Sequence, residues 1–270
     1  MSSEHTRLVV LGQDRIERSS QELALAALML RSPRLATAEI VRVYVPQEPT
    51  VAFTARDLRR PTIGDAVKAA RAAGFTAAVR SPGGRMVAYD SGAVVIDHVD
   101  RTTGLRAAGS TTFAENAMAH RSVLERLGLA DVRVGQVDCE YCPGEFSVNV
   151  AGAVKVVGSA QRVTAGGSLF STVVQVDLTE RVRAVVTEVS AALGYDLRAS
   201  SVGGVRDFTP SLTAGAVAAA FAEDYRSRLS VSDGQLPTEL VTQAITARPD
   251  SRYPGPFHVD DWVRANAVPA

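Results

Sequence analysis

Cys142 and Lys155 are the two side chains of this sequence that are best suited to covalent chemistry together. They flank a strand-like pattern that predicts a β-hairpin, in which they would face each other across the strands. Cysteine is the best nucleophile among the side chains at neutral pH, and a nearby lysine lowers the pKa of the thiol and polarises a carbonyl. With no histidine base nearby, the pair indicates acyl transfer through a thioester.

The segment Cys139-Glu-Tyr-Cys142 has the C-x-x-C spacing of redox and zinc motifs. A structural zinc needs about four ligands, and the sequence has neither a second C-x-x-C nor paired histidines, so we expect no metal site. Redox motifs usually open a helix, whereas Pro143-Gly144 leads into a strand pattern. The remaining alternative is that both cysteines are small buried residues. It suits Cys142 less well, because Pro143-Gly144 places that cysteine in a loop.

A glycine-containing loop runs from Arg80 through Gly83 and Gly84 to a second turn at Asp90-Ser-Gly92. Glycine lets the backbone approach a ligand closely, and free amide groups can hold an anion or a carbonyl oxygen. The alternative is a pair of ordinary turns between strands. The loop is not a nucleotide P-loop, because no Gly-Lys-Ser/Thr follows the glycine pair.

Lys155 stands in an apolar strand pattern, where an uncompensated charge is costly to bury. In a functional role the lysine would point at a substrate carbonyl or carboxylate. The alternative is a lysine on the solvated face of the strand. Gly158 would allow close backbone approach, and Ser159 and Gln161 would supply hydrogen-bonding side chains.

The bulk composition is that of a soluble globular protein, with 46% apolar and 21% charged residues in a chain of 270. Because 29 basic residues balance 29 acidic ones, no global field favours nucleic acid or an anionic membrane as a partner. The first residues lack a secretion signal, and no apolar run approaches the roughly 18 residues of a membrane span. We expect a cytoplasmic monomer with reduced cysteines.

The periodicity predicts helices and strands that interleave irregularly, with more hairpins than βαβ units. Asp90-Ser91-Gly92 is predicted to be a hairpin turn. The fold class is therefore α+β (mixed α/β), with a largely antiparallel central sheet flanked by helices. We expect one catalytic domain over residues 1–248 and a turn-rich tail over 249–270. Helices are predicted over 16–31, from an opening at 61–65 to 73, and over 113–127, 178–193, 210–228 and 236–247. Strands are predicted over 39–45, 50–53, 75–80, 86–88, 93–98, 132–137, 145–150, 154–161 and 168–176.

Two blocks together resemble the superfamily of lipoate–protein ligases, octanoyltransferases and biotin ligases. Arg80-x-x-Gly83-Gly84…Asp90-x-Gly92 is similar to its arginine–glycine loop, and Lys155-x-x-Gly158-x-Ala160-Gln161-Arg162 is similar to its lysine strand. A weaker similarity, Arg42-Val-Tyr44, lies where the family has its first core strands. The resemblance covers residues 16–195 and implies a class II synthetase/biotin-ligase-like catalytic domain.

Departures from the family pattern favour one branch of this superfamily. ATP-dependent lipoate ligases have a third glycine and a histidine where this chain has Arg85 and Tyr89, and a His-Gly-Thr where it has 170–172. Biotin ligases have a Gly-Arg-Gly-Arg-type loop, which this sequence lacks. The block from Cys142 to Ser147 resembles the cysteine motif of the octanoyl-[glycine-cleavage H protein]:protein N-octanoyltransferases.

The resemblance implies that Cys142 accepts an octanoyl or lipoyl group as a thioester, that Lys155 polarises the carbonyl, and that a lysine of a lipoyl-domain protein then receives the group. The implied partners are the glycine-cleavage H protein and the E2 subunits of 2-oxoacid dehydrogenases, and no cofactor is required. We also expect Val-rich segments 154–157 and 93–96 to wall an apolar slot. The implied substrate-binding residues are Arg80, Gly83, Gly84, Asp90, Gly92, Gly158, Ser159, Ala160 and Gln161.

Two other functions are kept as alternatives. An ATP-dependent lipoate–protein ligase would use ATP and Mg²⁺ with the free acid. A non-catalytic protein would bind an acyl chain or a lipoyl domain without forming a thioester.

Overall fold

A computed structural model describes residues 7–11, 16–36, 38–102, 110–230, 232–246 and 259. The strands are β1 (Arg7–Leu11), β2 (Glu39–Tyr44), β3 (Thr50–Phe53), β4 (Thr76–Val79), β5 (Val87–Tyr89), β6 (Ala93–Asp100), β7 (Val132–Val134), β8 (Val148–Val150), β9 (Val154–Thr164), β10 (Gly167–Gln175) and β11 (Ser232–Asp233). The helices are α1 (Ser19–Arg31), α2 (Ile63–Ala72), α3 (Ser110–Arg126), α4 (Glu180–Ala192), α5 (Ala214–Leu229) and α6 (Thr238–Thr246).

Eight strands form a large sheet in the order β11-β1-β2-β6-β10-β9-β8-β7. The pairs β11–β1 and β1–β2 are parallel, and every other pair in this sheet is antiparallel. A smaller sheet has the order β4-β3-β5. The predicted fold class, an α+β domain around a largely antiparallel sheet, is confirmed.

The large sheet is covered on both faces, so its central strands β2, β6 and β10 are almost continuously buried. On one face, here called the inner face, Tyr44, Val95 and Val173 pack against the small sheet with α2 and α4. The same face continues beneath α1 and α6. On the opposite face, alternate residues such as Val43 and Ile96 pack against α3 and α5.

A buried polar row crosses the inner face. Arg42 of β2, Asp97 of β6, Ser171 of β10 and Ala160 of β9 are successive cross-strand neighbours. Arg42 is fully buried and forms an ion pair with Glu22 of α1, while Ser171 Oγ donates to Asp97 Oδ1 at 2.7 Å. Desolvation raises the pKa of the Glu22 carboxyl to about 7. The row separates the apolar cluster beneath α1 from the one beneath the small sheet.

Most helices and strands lie where the sequence predicts them, with ends displaced by a few residues. Strands β1 and β11 were not predicted. The hairpin predicted at 90–92 is wrong: β5 pairs with β3 in the small sheet, whereas β6 pairs with β2 and β10 in the large one. The turn therefore carries the chain from one sheet to the other, a long-range pairing that local turn signals do not report.

The sequence predicts a boundary between a domain and a tail at 248/249. This boundary lies outside the described residues, so it stays a prediction. Within them, no helix combines the length and the apolar character needed to cross a membrane. Val259, the described residue closest to the C-terminus, is fully buried against the small-sheet cluster.

The turn at 90–92, where the chain passes from the small sheet to the large one, can be tested by a substitution at Gly92. A Cβ at this position would collide with the carbonyl oxygen of Asp177, and the Gly92 carbonyl accepts the N–H groups of Val176 at 3.0 Å and Asp177 at 2.7 Å. We expect Gly92→Ala to lower the free energy of unfolding by about 2 kcal/mol or more, measured by urea denaturation. Gly64→Ala is the control, because its Cβ would meet open space in α2 and should stabilise slightly. Equal stability of the two variants would contradict the expected collision.

Candidate active site

A β-bulge sets the direction of the Lys155 side chain. The pairing of β8 with β9 shifts register at Val148–Asn149, opposite residues 155–157 of β9. A bulge places one extra residue in a strand and so reverses the alternation of side chains beyond it. Lys155 consequently lies on the same face as Gly158, where a Cβ would be 2.9 Å from Lys155 Cε. Gly158 thus leaves the space that the lysine side chain occupies.

Three hydrogen bonds hold the Lys155 ammonium group. Its Nζ donates to the carbonyl oxygen of Cys142 at 2.8 Å, to that of Tyr141 at 3.3 Å and to Glu140 Oε1 at 3.3 Å. The residue is 2% exposed, and desolvation lowers the pKa of the ammonium while the Glu140 carboxylate opposes this shift. An ammonium has three donors, and each of them is occupied by an acceptor in residues 140–142.

Glu140 organises the loop that carries the cysteine, here called the cysteine loop (residues 137–147). Its carboxylate is fully buried. Besides the Lys155 bond, Oε1 accepts from Gly144 N at 2.8 Å and from Ser147 Oγ at 2.7 Å, while Oε2 accepts from Val137 N at 3.3 Å. Glu140 was not predicted as a site residue, because nothing in the neighbouring sequence distinguishes an acid that will be buried from one that will be solvated.

Cys142 lies in this loop and not in a strand, so the predicted arrangement of Cys142 and Lys155 across a hairpin is wrong. β8 begins only at Val148, because a turn closed by a hydrogen bond from Ser147 N to Gly144 O precedes it. The cysteine backbone has φ +47°, a left-handed conformation that is costly for a residue with a side chain. Lys155 contacts the backbone carbonyl of Cys142, whereas the thiol faces another loop.

That other loop is the glycine loop (residues 80–85). The backbone N–H of Arg85 donates to Cys142 Sγ at 3.1 Å. Gly84 has φ +94°, and a Cβ there would be 2.8 Å from the sulfur, so only glycine fits beside the thiol. Arg80 lies behind the loop, where its Nη2 donates to the carbonyl oxygens of Gly83 at 2.9 Å and Arg85 at 3.0 Å.

A cavity of about 370 Å³ opens between the two loops and β9. This volume falls within the range of small-molecule pockets, roughly 300–1,000 Å³. Seven residues predicted to form the site line it together: Gly83, Gly84, Cys142, Lys155, Ser159, Ala160 and Gln161.

The apolar part of the lining differs from the prediction. Segments 154–157 and 93–96 were expected to wall an acyl slot, but the valines 154, 156, 157 and 94, with Ile96, belong to the cluster beneath α3 and α5. Phe113, Pro143 and Phe146 line the cavity instead. Phe113 stacks on Phe146 with the ring centroids 6.1 Å apart. Phe113 was not predicted, because α3 is distant in sequence from the other lining residues.

Asp90 and Gly92 are not among the lining residues. Asp90 Oδ1 accepts from Gly92 N at 2.8 Å, and its Oδ2 accepts from Thr179 Oγ1 at 3.3 Å at the start of α4. Both residues shape the turn between the sheets. Their predicted role in substrate binding stays a prediction that this placement does not support.

Cys139 also lies outside the cavity lining. Its Sγ donates to Asp196 Oδ2 at 3.2 Å, and this hydrogen bond raises the pKa of the thiol. Within the described part of the chain, no group of three or more His, Cys, Asp or Glu side chains could hold a metal ion. Of the two thiols, Cys142 is the one that lines the cavity.

Comparison with curated proteins finds relatives among acyltransferases. An octanoyl-[GcvH]:protein N-octanoyltransferase of Geobacillus kaustophilus is 31% identical over 128 residues, which are 47% of this chain and 44% of that protein. A protein of the same name from Exiguobacterium sibiricum is 32% identical over 127 residues, 47% of this chain and 45% of that protein. The similarity thus spans less than half the length of these relatives. No protein-family model matches the chain.

Solved structures with the same fold include lipoate–protein ligases. Lipoate-protein ligase A bound with ATP superposes with a TM-score of 0.69 at 18% identity, covering 91% of this chain and 95% of that one. At this identity the likeness shows the fold alone. Together, the relatives and the fold confirm the resemblance to the lipoate–protein ligase and octanoyltransferase superfamily.

The approach of Gly84 to the thiol can be tested by alkylation of Cys142. We expect Gly84→Ala to change the rate of Cys142 modification by iodoacetamide severalfold, because its Cβ would press on the sulfur and its φ is strained. The measurement is peptide mass spectrometry, which separates Cys142 from Cys139. Gly83→Ala is the matched control, since its Cβ would meet open space. An unchanged rate in Gly84→Ala would show that the two loops do not meet at the thiol.

The buried pair of Lys155 and Glu140 can be tested by a double-mutant cycle. Lys155→Met leaves a fully buried carboxylate without its cation, so we expect a loss of about 3 kcal/mol in the free energy of unfolding. Adding Glu140→Gln should recover part of this loss, because the amide keeps acceptor capacity without the charge. Urea denaturation measures both. Additive losses in the double variant would contradict a direct coupling of the two side chains.

Proposed function

We propose that this chain is an acyltransferase that moves an octanoyl or lipoyl group through a thioester on Cys142 to a lysine of a lipoyl-domain protein. The observation that carries the proposal is the position of the Cys142 thiol at the cavity, beside the buried Lys155 and under the Arg85 amide. The similarity in sequence to two octanoyl-[GcvH]:protein N-octanoyltransferases supports the same chemistry.

In the first step, the Cys142 sulfur attacks the acyl carbonyl of the donor. A carbon–sulfur bond forms, the bond from the carbonyl to the donor's lysine nitrogen breaks, and the departing amine takes a proton. Gly83 and Gly84 line the cavity, and in this proposal their backbone N–H groups are the donors for the developing oxyanion. Phe113 and Phe146 provide apolar surface for the chain, at about 0.8 kcal/mol per buried CH₂.

In the second step, the ε-amine of the acceptor lysine attacks the thioester. The new amide forms, the carbon–sulfur bond breaks, and the thiol of Cys142 returns to its starting state. Dividing the transfer into two exchanges at one sulfur lowers the barrier of each, and it requires no ATP.

In this scheme, Lys155 acts through the loop it holds. Because its three donors are engaged by Glu140, Tyr141 and Cys142, it does not point an unused N–H at a substrate carbonyl. Its ammonium group donates to the carbonyl oxygen of Cys142 at 2.8 Å and so holds the backbone of the residue that attacks the donor. Polarisation of the carbonyl by Lys155, as the resemblance implies, would require one of these bonds to be exchanged.

The proposed partners are carrier proteins with a lipoyl domain. The names of the two curated relatives specify octanoylated GcvH as the donor of those enzymes. A bi-partite lipoate protein ligase of Thermoplasma acidophilum, studied with its E2 lipoyl domain, has the same fold with a TM-score of 0.65 at 18% identity, over 91% of this chain and 94% of that one. We therefore propose glycine-cleavage H protein and E2 lipoyl domains as donor and acceptor.

The decisive experiment is the intact mass of the protein after incubation with octanoylated H protein without ATP. We expect a mass gain of one octanoyl group in the wild type and in Cys139→Ser, and none in Cys142→Ser. Addition of an unmodified E2 lipoyl domain should then remove the group and acylate the domain.

Other outcomes would favour the alternatives. Acylation of the E2 domain only with free octanoic acid and ATP would establish the ligase reaction. Full transfer by Cys142→Ser would rule out the thioester. Binding of the carrier with neither mass gain nor transfer would indicate a non-catalytic binding protein.

A further inference from the structure

A single peptide group connects a buried threonine to the Cys142 thiol. The N–H of Arg85 donates to Cys142 Sγ at 3.1 Å, and the carbonyl oxygen of the same peptide group, that of Gly84, accepts from Thr54 Oγ1 at 3.0 Å. The described peptide bonds are all trans, and the C=O and N–H of a planar trans peptide group point in opposite directions. The Gly84–Arg85 peptide group therefore lies between the threonine hydroxyl on one side and the sulfur on the other.

Arg80 fixes the two neighbouring peptide groups of the glycine loop but not this one. Its Nη2 donates to the carbonyl oxygens of Gly83 and Arg85, which precede and follow the carbonyl of Gly84. Two consecutive glycines place few steric limits on rotation of the backbone. The orientation of the Gly84–Arg85 peptide group thus depends on its own hydrogen bonds, and Thr54 supplies the one at its carbonyl end.

Thr54 is itself held firmly behind the loop. It follows the last residue of β3 and is 1% exposed. The fully buried carboxylate of Asp57 accepts from Thr54 N at 2.8 Å through Oδ2 and from the Tyr195 hydroxyl at 2.5 Å through Oδ1. These contacts fix the position of the threonine relative to the glycine loop.

The single hydrogen of the Thr54 hydroxyl has two acceptors within reach, Asp57 Oδ2 at 2.9 Å and Gly84 O at 3.0 Å. When the hydrogen points at Gly84, the hydroxyl oxygen can accept from the backbone N–H of Asp57 at 3.3 Å. A hydroxyl group that donates to a carbonyl oxygen polarises the peptide group and strengthens the donor at its other end. In this arrangement Thr54 both orients and strengthens the N–H that meets the sulfur.

We propose that Thr54 is a positioning residue for the acyl transfer, whose hydroxyl keeps the Arg85 N–H on the Cys142 sulfur. Thr54 is not among the described residues that line the cavity, so it acts through the peptide group and not on a substrate. The sulfur is the attacking group in the first exchange and the leaving group in the second, and an N–H donor stabilises the negative charge that it carries in both. The effect on transfer rests on the proposed function, whereas the effect on the thiol does not.

The first test is the rate at which iodoacetamide modifies Cys142 in the full chain without an acyl donor, measured by peptide mass spectrometry. We expect Thr54→Val to slow this reaction about fivefold, the effect of one ordinary hydrogen bond. Thr54→Ser keeps the hydroxyl and should stay within about twofold of the wild type.

Thr50→Val is the matched control. Thr50 begins the same strand, is fully buried, and donates from Oγ1 to the carbonyl oxygen of Glu48 at 2.9 Å. Its substitution should lower the free energy of unfolding in urea, because a buried acceptor loses its partner, and leave the modification rate of Cys142 unchanged. A purely structural role of Thr54 would make the two valine variants behave alike.

The second test is transfer from octanoylated H protein to an E2 lipoyl domain. We expect Thr54→Val to lower kcat about fivefold with KM unchanged, because the threonine touches the reacting sulfur's donor and no substrate. Thr54→Ser should restore kcat. If Thr54→Val does not fold, Thr54→Ala takes its place with the same expectation, since it also lacks the hydroxyl but sets no methyl group against the Asp57 carboxylate.

Modification of Cys142 at the wild-type rate in a folded Thr54→Val or Thr54→Ala variant would overturn the proposal. So would an equal slowing in Thr54→Ser or in Thr50→Val. If the wild type itself transfers no octanoyl group, the proposed function is wrong, and the modification rates still decide whether Thr54 acts on the thiol.

Discussion

The ammonium group of Lys155, buried to 2% exposure, is the constraint on which the rest of the site depends. A buried cation is tolerated only when a carboxylate and further acceptors surround it. Glu140 and two backbone carbonyls meet that demand, and all three belong to the cysteine loop. The need to compensate one charge therefore determines the path of residues 137–147. It also provides the contacts that hold Cys142 in a left-handed conformation.

In the glycine loop, the arginine of the sequence motif holds the backbone by hydrogen bonds. Arg80 donates to two carbonyl oxygens of its own loop, and Thr54 Oγ1 holds the Gly84 carbonyl from outside at 3.0 Å. The Arg85 guanidinium lies over the ring of Tyr195, 4.5 Å from its centroid. These contacts fix the loop from different sides, so that the Arg85 amide and Gly84 meet the thiol. The motif specifies a backbone shape, and its glycines line the cavity.

The features that the sequence predicted correctly are those that depend on residues close together in the chain. Alternation and capping located most helices and strands, and the types and spacing of Cys142, Lys155 and the glycines identified most of the cavity lining. Three features depend on contacts distant in sequence and were missed or wrong: the bulge that turns Lys155, the burial of Glu140, and the crossing between sheets at 90–92. A turn signal reports the shape of a few residues, whereas strand pairing is decided by the whole sheet.

The polar row on the inner face ends in the wall of the cavity that Cys142 lines, here called the thiol cavity. Arg42, Asp97 and Ser171 occupy one rung of the large sheet, which ends at Ala160 in the wall of the thiol cavity. On the next rung, the apolar Leu169 is paired with Arg162 of β9. Because side chains on one face of a strand recur every second residue, about 7 Å apart, Arg162 lies on the same face as Ala160 and one position beyond it. The polar row therefore meets the cavity at Ala160, and the apolar cluster beneath α1 begins one rung farther along the sheet.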